Sequence, residues 1–576
     1  MKKRSSSLQV SFGNLWNTAS ASPAVEHNLM ICQRLTVLAT CLILGAVAGC
    51  GDRTVSSRDS SGRVGSAEAN AEDLLKSAIH QLHPENYSIA AANDKPTSLL
   101  NSWRVAVVDP TAPTDLSAVP AGWIAPADIE RLKASSYDLR DAVHVRDAMM
   151  THAIATYLAA RATDEVTESR MIFDFVVRNI TLRGKDEPDL PLSVYSLLMV
   201  GRGTAEDRAW VCAALLKQLR IDSVIVRPSG DAGADADSWL LGVLLNGHVY
   251  LYDARLGLAL PSTSELQAAG LPATLEEIST HPEWLKSLAV RSDQPYAIDA
   301  ETLNQPTIQP IVESDFWSQR MRHLESVLPA ADVCVLSDPL VDESGRTGLL
   351  TRMLKGGAGW KLEQMKPWSY PHGRNLQLLE IIEAFWQKTV ASGEEKGESR
   401  DRENPALKTL SPAAAQALII TTQPFNLPIQ ILVNSQTEKV TLLPERRMLR
   451  IRTDQLLGKF EDSTRLYLTI RQLELEPTRT DLAMLNKLGA ENAIYWTAVC
   501  KFEAREYEAA IEQLSTYLKR YDRNGRWNFA ARALLAESQA ELGHFKEAAA
   551  VVERPRIEDP YRAANAVRVK RWTARQ

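Results

Sequence analysis

At 576 residues, with 45% hydrophobic and 24% charged side chains, the chain can hold three or four domains, each with its own core. A net charge of −6 spread over that length excludes a general nucleic-acid binder. Six cysteines without a CxxC pair exclude a disulfide framework or a zinc site readable from spacing.

The first element in chain order is a targeting signal. "RLTVLATCLILGAVAGC" places Arg34 before an apolar run, Leu35 to Val47, that is short for a bilayer and closes on small residues. The ending "VAGC" resembles the lipobox of bacterial lipoproteins. That resemblance implies lipidation at Cys50 and an extracytoplasmic protein anchored to a membrane of the bacterial envelope; residues 1–29 carry no targeting logic, which makes Met30 a candidate start. Gly51 stands where an aspartate would retain such a protein at the inner membrane. Residues 1–49 are thus read as extension and signal peptide. Residues 50–73, polar and rich in Ser and Gly, are read as a flexible tether, with order expected from Leu74.

Residues 74–300 mix helix and strand. "ESRMIFDFVVRNITL" carries helical spacing with an extended end, and "PLSVYSLLMVG" predicts a short helix opened by Pro191 and stopped by Gly201. A helix follows Gly203, then the strand "SVIVRP", then two strands turning on Asn246-Gly247. This order predicts an α+β domain with helices on an antiparallel sheet. Residues 301–445 form a middle α+β region without an assigned activity. "DFWSQRMRHLESVL" and "LQLLEIIEAFWQKTV" predict helices there, "ADVCVLSD" predicts a strand, and 392–405 is a charged break.

From 446 to 576 the pattern is almost wholly helical, and it repeats. Phe460 and Ser463, Tyr507 and Ala510, Phe545 and Ala548 each pair an aromatic with a small residue three positions on. The small residue lets two helices approach while the aromatic fills the space beside it. These units resemble tetratricopeptide repeats, with Pro560 where such a repeat often ends. The resemblance implies a surface for a protein or peptide partner.

The segment "GRGTAEDRAWVCAALLKQLRI" starts a helix with two acids, as the helix dipole favours. Taken with Asp237-Ser238-Trp239 and "YLYDARLG", it resembles the transglutaminase-like superfamily, related to papain-type thiol enzymes. That family sets a cysteine at a helix N-terminus, a histidine at the start of a strand and an aspartate on the next strand. The cysteine position falls on Ala205, the histidine position on Asp237 and the aspartate position on Asp253. The nucleophile and the proton carrier are both absent, so no intact catalytic set is expected, and no cofactor or metal is implied.

Cys212 and His248 are the nearest substitutes. Cys212 lies about 10 Å further along the helix, away from the dipole's positive end, which favours a core role. His248 is five residues before Asp253 on one strand, so the two face oppositely. Glu206 and Asp207 are expected to serve the helix start, and Trp210 and Trp239 to pack. The resulting expectation is a non-catalytic envelope lipoprotein that binds or assembles proteins through its cleft and its repeat array. The alternatives are an active thiol protease or transglutaminase using Cys212 or another nucleophile, and a purely structural protein.

Overall fold

The computed structural model describes residues 61–84, 95–107, 119–184, 191–229, 238–262, 271–290, 295–343, 345–356, 360–380, 444–472, 480–521 and 525–576, with a few single residues between them. They form a helix-rich body with a small sheet, followed by an all-helical repeat array. The signal stretch, Cys50 and Asp237 lie outside the described residues. Among those described, no helix is long and apolar enough to cross a membrane.

Helix begins earlier than Leu74. The helix Ser61–Leu82 takes in the second part of the expected tether, and from Ala71 onward its apolar side chains are buried. With the helix Lys95–Ala106 it packs against Tyr137, Met321 and Leu324.

Four helices build one side of the body: α1 (Leu139–Ala159), α2 (Glu165–Asn179), α3 (Val194–Val200) and α4 (Ala205–Gln218). Each begins on a side chain that accepts an otherwise orphaned backbone N–H: Asp138, Asp164, Ser193 and Thr204. For α3 the start is therefore Ser193 rather than Pro191. Its end is Gly201 as expected, in the left-handed conformation at φ 69°.

The sheet runs β6 (Leu258–Ala259), β5 (His248–Asp253), β4 (Leu240–Leu245), β3 (Asp222–Arg227), β7 (Thr307–Pro310), antiparallel throughout. Asn246 and Gly247 both have positive φ, 53° and 80°, which the tight hairpin between β4 and β5 requires. The strands read as nearly continuous apolar runs because both faces are covered. Ile225, Leu241 and Val243 face the helical layer, whereas Val224, Val226 and Val249 face a second cluster with Ile278, Leu303 and Met353. The fifth strand comes from beyond residue 300, so the sheet draws on the middle region. Two short parallel strands, β1 (Thr181–Leu182) and β2 (Arg202–Gly203), lie outside it.

The expected strand "ADVCVLSD" is not one. Among the described residues, 333–338 pair with no strand, because side chains take the place of a ladder. Gln218 exchanges two hydrogen bonds with Val335, at 2.8 and 3.1 Å, and Glu325 accepts from the backbone of Leu336 and Ser337 at 2.8 and 2.7 Å. β-branched apolar residues signal an extended backbone, not what that backbone bonds to.

The array consists of α5 (Pro444–Leu456), α6 (Phe460–Gln472), α7 (Thr480–Glu503), α8 (Tyr507–Tyr521), α9 (Asn528–Glu541), α10 (Phe545–Val552) and α11 (Arg562–Thr573). Ser463, Ala510 and Ala548 are fully buried at the helix crossings, and Phe460, Tyr507 and Phe545 are half-buried beside them. The turns before α6, α8 and α10 share one geometry. Gly458, Arg505 and Gly543 have φ of 81°, 62° and 78°, and the next residue's N–H returns to a carbonyl five positions earlier, at 2.9, 2.8 and 2.9 Å. This is a left-handed helix cap of the Schellman type, used three times. The uneven repeat length has a local source: α7 has 24 residues where α9 has 14.

The first helices of these hairpins pack on the body. Arg452 of α5, buried, donates to the Leu198 and Asn179 carbonyls at 3.1 and 2.9 Å and lies 3.6 Å from the centroid of the Trp496 ring. Arg208 of α4, also buried, donates to the carbonyls of Val177, Ile180 and Ala254. Both guanidinium groups thus sit on the C-terminal end of α2, whose free carbonyls and dipole supply a negative partner that no carboxylate among the described residues supplies. Arg178–Glu503 at 2.6 Å and Tyr561, accepting from the Leu182 N–H at 2.8 Å, complete the join.

Candidate functional site

Ala205, the residue that the sequence comparison set at a nucleophile position, is the first residue of α4 and is 7% exposed. The helix start is well made. Thr204 accepts from the Asp207 N–H at 3.1 Å, and the Asp207 carboxylate returns to the Thr204 N–H at 2.8 Å. Asp207 is nearly inaccessible, and burial pushes its carboxyl above the usual range against the lowering effect of that backbone bond. It serves the helix start as expected. Glu206, beside it, is only partly buried.

What covers Ala205 was not foreseen. Residues 365–380 of the middle region run across the start of α4. The Tyr370 hydroxyl donates to Asp207 at 2.8 Å and lies 3.2 Å from the Thr204 hydroxyl. Trp368 stacks on Tyr370 at 5.0 Å and approaches Trp239 at 6.1 Å, and Trp210 meets Tyr370 edge-on at 6.4 Å. Ala205, Trp210, Trp239 and Trp368 belong to one buried cluster. The helix start is closed by aromatic rings from the same chain. Arg374 lies over the Tyr370 ring and pairs with Asp189 at 2.6 Å, and Asn375 and Trp210 hold the half-buried Glu313 carboxylate at 2.8 and 2.9 Å. "MKPWSYPHGRN" therefore does positional work that its sequence, read alone, does not announce. Trp239 and Trp368 stand more than 120 residues apart, so no local periodicity joins them.

Asp253 closes β5 and is 1% exposed. One carboxylate oxygen accepts from the backbone of Arg255 and Leu256 at 2.8 and 2.9 Å, and the other accepts from the Tyr296 hydroxyl at 2.6 Å. One oxygen thus organises the turn while the other is held by Tyr296. His248 opens the same strand on the opposite side, exposed, 3.8 Å from Glu276. The structure does not bring His248 to Asp253.

The three described cysteines, Cys212, Cys334 and Cys500, are free and buried. Burial drives the Cys212 thiol well above its ordinary range, and the thiols of Cys334 and Cys500 up to about 12. A thiol held protonated in this way is a poor nucleophile near neutral pH. Among the described residues no group of three or more His, Cys, Asp or Glu gathers in a way that would hold a metal ion.

The array presents the other candidate surface. Its second helices turn Ser463 and Tyr467, Ala510 and Leu514, Ala548 and Val552 inward. Their remaining faces are open to solvent, with Leu466 and Leu468 exposed on α6. Residues 482–555, from α7 through α10, match the family described as "Anaphase-promoting complex, cyclosome, subunit 3". No curated protein and no solved structure matches the chain. The C-terminal segment is a tetratricopeptide-like array, and repeats of this kind mediate protein–protein interaction.

Proposed function

We propose that the chain is a non-catalytic, transglutaminase-like lipoprotein of the bacterial envelope that holds a protein partner on its repeat array. The observation that carries this reading is the closed helix start: a buried alanine at the proposed nucleophile position, with Tyr370 bonded to Thr204 and Asp207 on either side of it. A helix N-terminus, a hairpin and an aspartate ending the second hairpin strand support the transglutaminase-like part. The lipobox-like "VAGC" supports the anchor at Cys50. With its first helices committed to the body, the array meets its partner through the outer faces of α6, α8 and α10. The matched family is by its description a subunit of a complex, which accords with an assembly role.

The test has two arms. Cys50→Ser is expected to release the protein from membranes or block its processing; unchanged fractionation and migration would remove the anchor. A photo-crosslinking residue at Leu466 or Leu468 is expected to trap one discrete partner in cells, and the same residue at exposed Val105 is not. Equal trapping at both places, or acyl-transfer activity abolished by thiol alkylation, would overturn the reading.

A further inference from the structure

A cavity of about 430 Å³ opens where α2, the turn after α7 and α11 converge, lined by seven arginines and four carboxylates. The carboxylates are already engaged. Arg170 pairs with Asp174 at 2.8 Å, Arg178 with Glu503 at 2.6 Å and Arg568 with Glu537 at 2.7 Å, while Glu541 hydrogen-bonds Tyr507. The lining keeps a surplus of positive charge. That surplus is concentrated on and just after α11, where Arg568, Arg571 and Arg575 lie on one face. Arg170 of α2 faces them across the same cavity.

Two guanidinium nitrogens mark the wall as built for an acceptor. Nη1 of Arg568, whose side chain is 9% exposed, and Nη2 of Arg571 are shielded from solvent and find no hydrogen-bond partner among the described residues. A shielded, charged donor without an acceptor is costly, and like-charged neighbours add to the cost. Burial first, then Arg568, Arg170 and Arg575, lower the Arg571 guanidinium to about 10. Met171, Leu258 and Phe502 line the same cavity and are only partly buried, which gives it an apolar side. Its volume falls in the range of small-molecule sites.

We infer that this pocket binds a phosphorylated small molecule, its phosphoryl group on Arg170, Arg568 and Arg571 and its organic portion against Met171, Leu258 and Phe502. A phosphoryl dianion matches the surplus charge better than a single carboxylate, and guanidinium forks suit its oxygens. Because α2 belongs to the body and α11 to the array, an occupant ties the two together and stabilises the fold.

The experiment titrates the full chain with inorganic phosphate, pyrophosphate, adenosine monophosphate and citrate by calorimetry, with melting temperature read in parallel. The phosphoryl probes are expected to bind saturably and raise the melting temperature, adenosine monophosphate at least tenfold more tightly than inorganic phosphate. Arg571→Gln is expected to weaken binding at least tenfold while leaving the ligand-free melting temperature equal or higher, since it removes an unmatched charge. Lys546→Gln, an exposed control, should bind as the parent does. Absence of saturable binding, equal affinity in Arg571→Gln, or citrate binding as tightly as pyrophosphate would each overturn the proposal. If adenosine monophosphate binds no more tightly than inorganic phosphate, the role of the apolar wall is wrong.

Discussion

The array closes its helix ends with local devices alone, whereas the body adds to its local caps a cover brought from a distance. In the array a local device is used three times: a left-handed residue at 458, 505 or 543, then a helix whose fourth residue is small. In the body the start of α4 is closed from a distance, by Trp368 and Tyr370 of a segment 163 residues downstream of Asp207. Local devices leave a period in the sequence and distant ones do not. That is why the repeat was legible while the aromatic cover of Ala205 was not.

The largest effect is expected from breaking the distant closure. Trp368→Ala removes a buried ring from the main cluster and should cost about 3–5 kcal/mol in urea unfolding. Combined with Ala205→Cys, it should also open the helix start: the cysteine reacts slowly with an alkylating reagent in the single variant and quickly in the double. Fast alkylation in Ala205→Cys alone would show that the rings do not seal the site.

Next comes the join between the two regions. A Cβ at Gly201 would stand 2.4 Å from the Trp496 ring, and the glycine has φ 69°. Gly201→Ala thus meets both strain and overpacking and should cost about 2–4 kcal/mol. If the contact with the array is the cause, adding Trp496→Leu should recover part of that loss. Strict additivity would place the cost in the turn alone.

A smaller, pH-dependent effect belongs to the turn between α10 and α11. Burial raises the Asp559 carboxyl to about 6, and its bond from the Tyr561 N–H offsets only part of this. The folded state therefore holds the proton more tightly than the unfolded chain. Stability is fullest below the unfolded value near 4 and is lost as pH rises through about 6. Against Asp559→Asn, the parent should lose on the order of 1–3 kcal/mol between pH 4 and 7. Parallel pH profiles would mean that the carboxyl is not shifted.

What could be read from the sequence divides along the same line. Hairpin residues Asn246-Gly247, the stop at Gly201, and the small residues at 463, 510 and 548 each act within a few positions of themselves, so spacing revealed them. The expected roles of Asp207 and Cys212 followed from their places on one helix. By contrast, Tyr296 on Asp253, Gln218 on residues 333–338, and the two arginines on the end of α2 act across tens to hundreds of positions. No window of sequence contains both partners.

The smallest effect tests the local device itself. Of its three uses, two have glycine at the left-handed position and the third has Arg505 at φ 62°. A side chain there costs about 1–2 kcal/mol, whereas glycine gives back about 0.4–1 through the looser unfolded chain. Arg505→Gly should therefore stabilise the protein by about 0.5–1 kcal/mol, read as a higher urea midpoint with an unchanged slope. Arg505→Ala separates the turn from the charge, since it removes the guanidinium and keeps the strain. A gain in Arg505→Ala equal to that in Arg505→Gly would assign the effect to the crowded arginines around the cavity. A gain confined to glycine would make the three turns one device, with the middle copy keeping its strain in exchange for a cation at the mouth of the pocket.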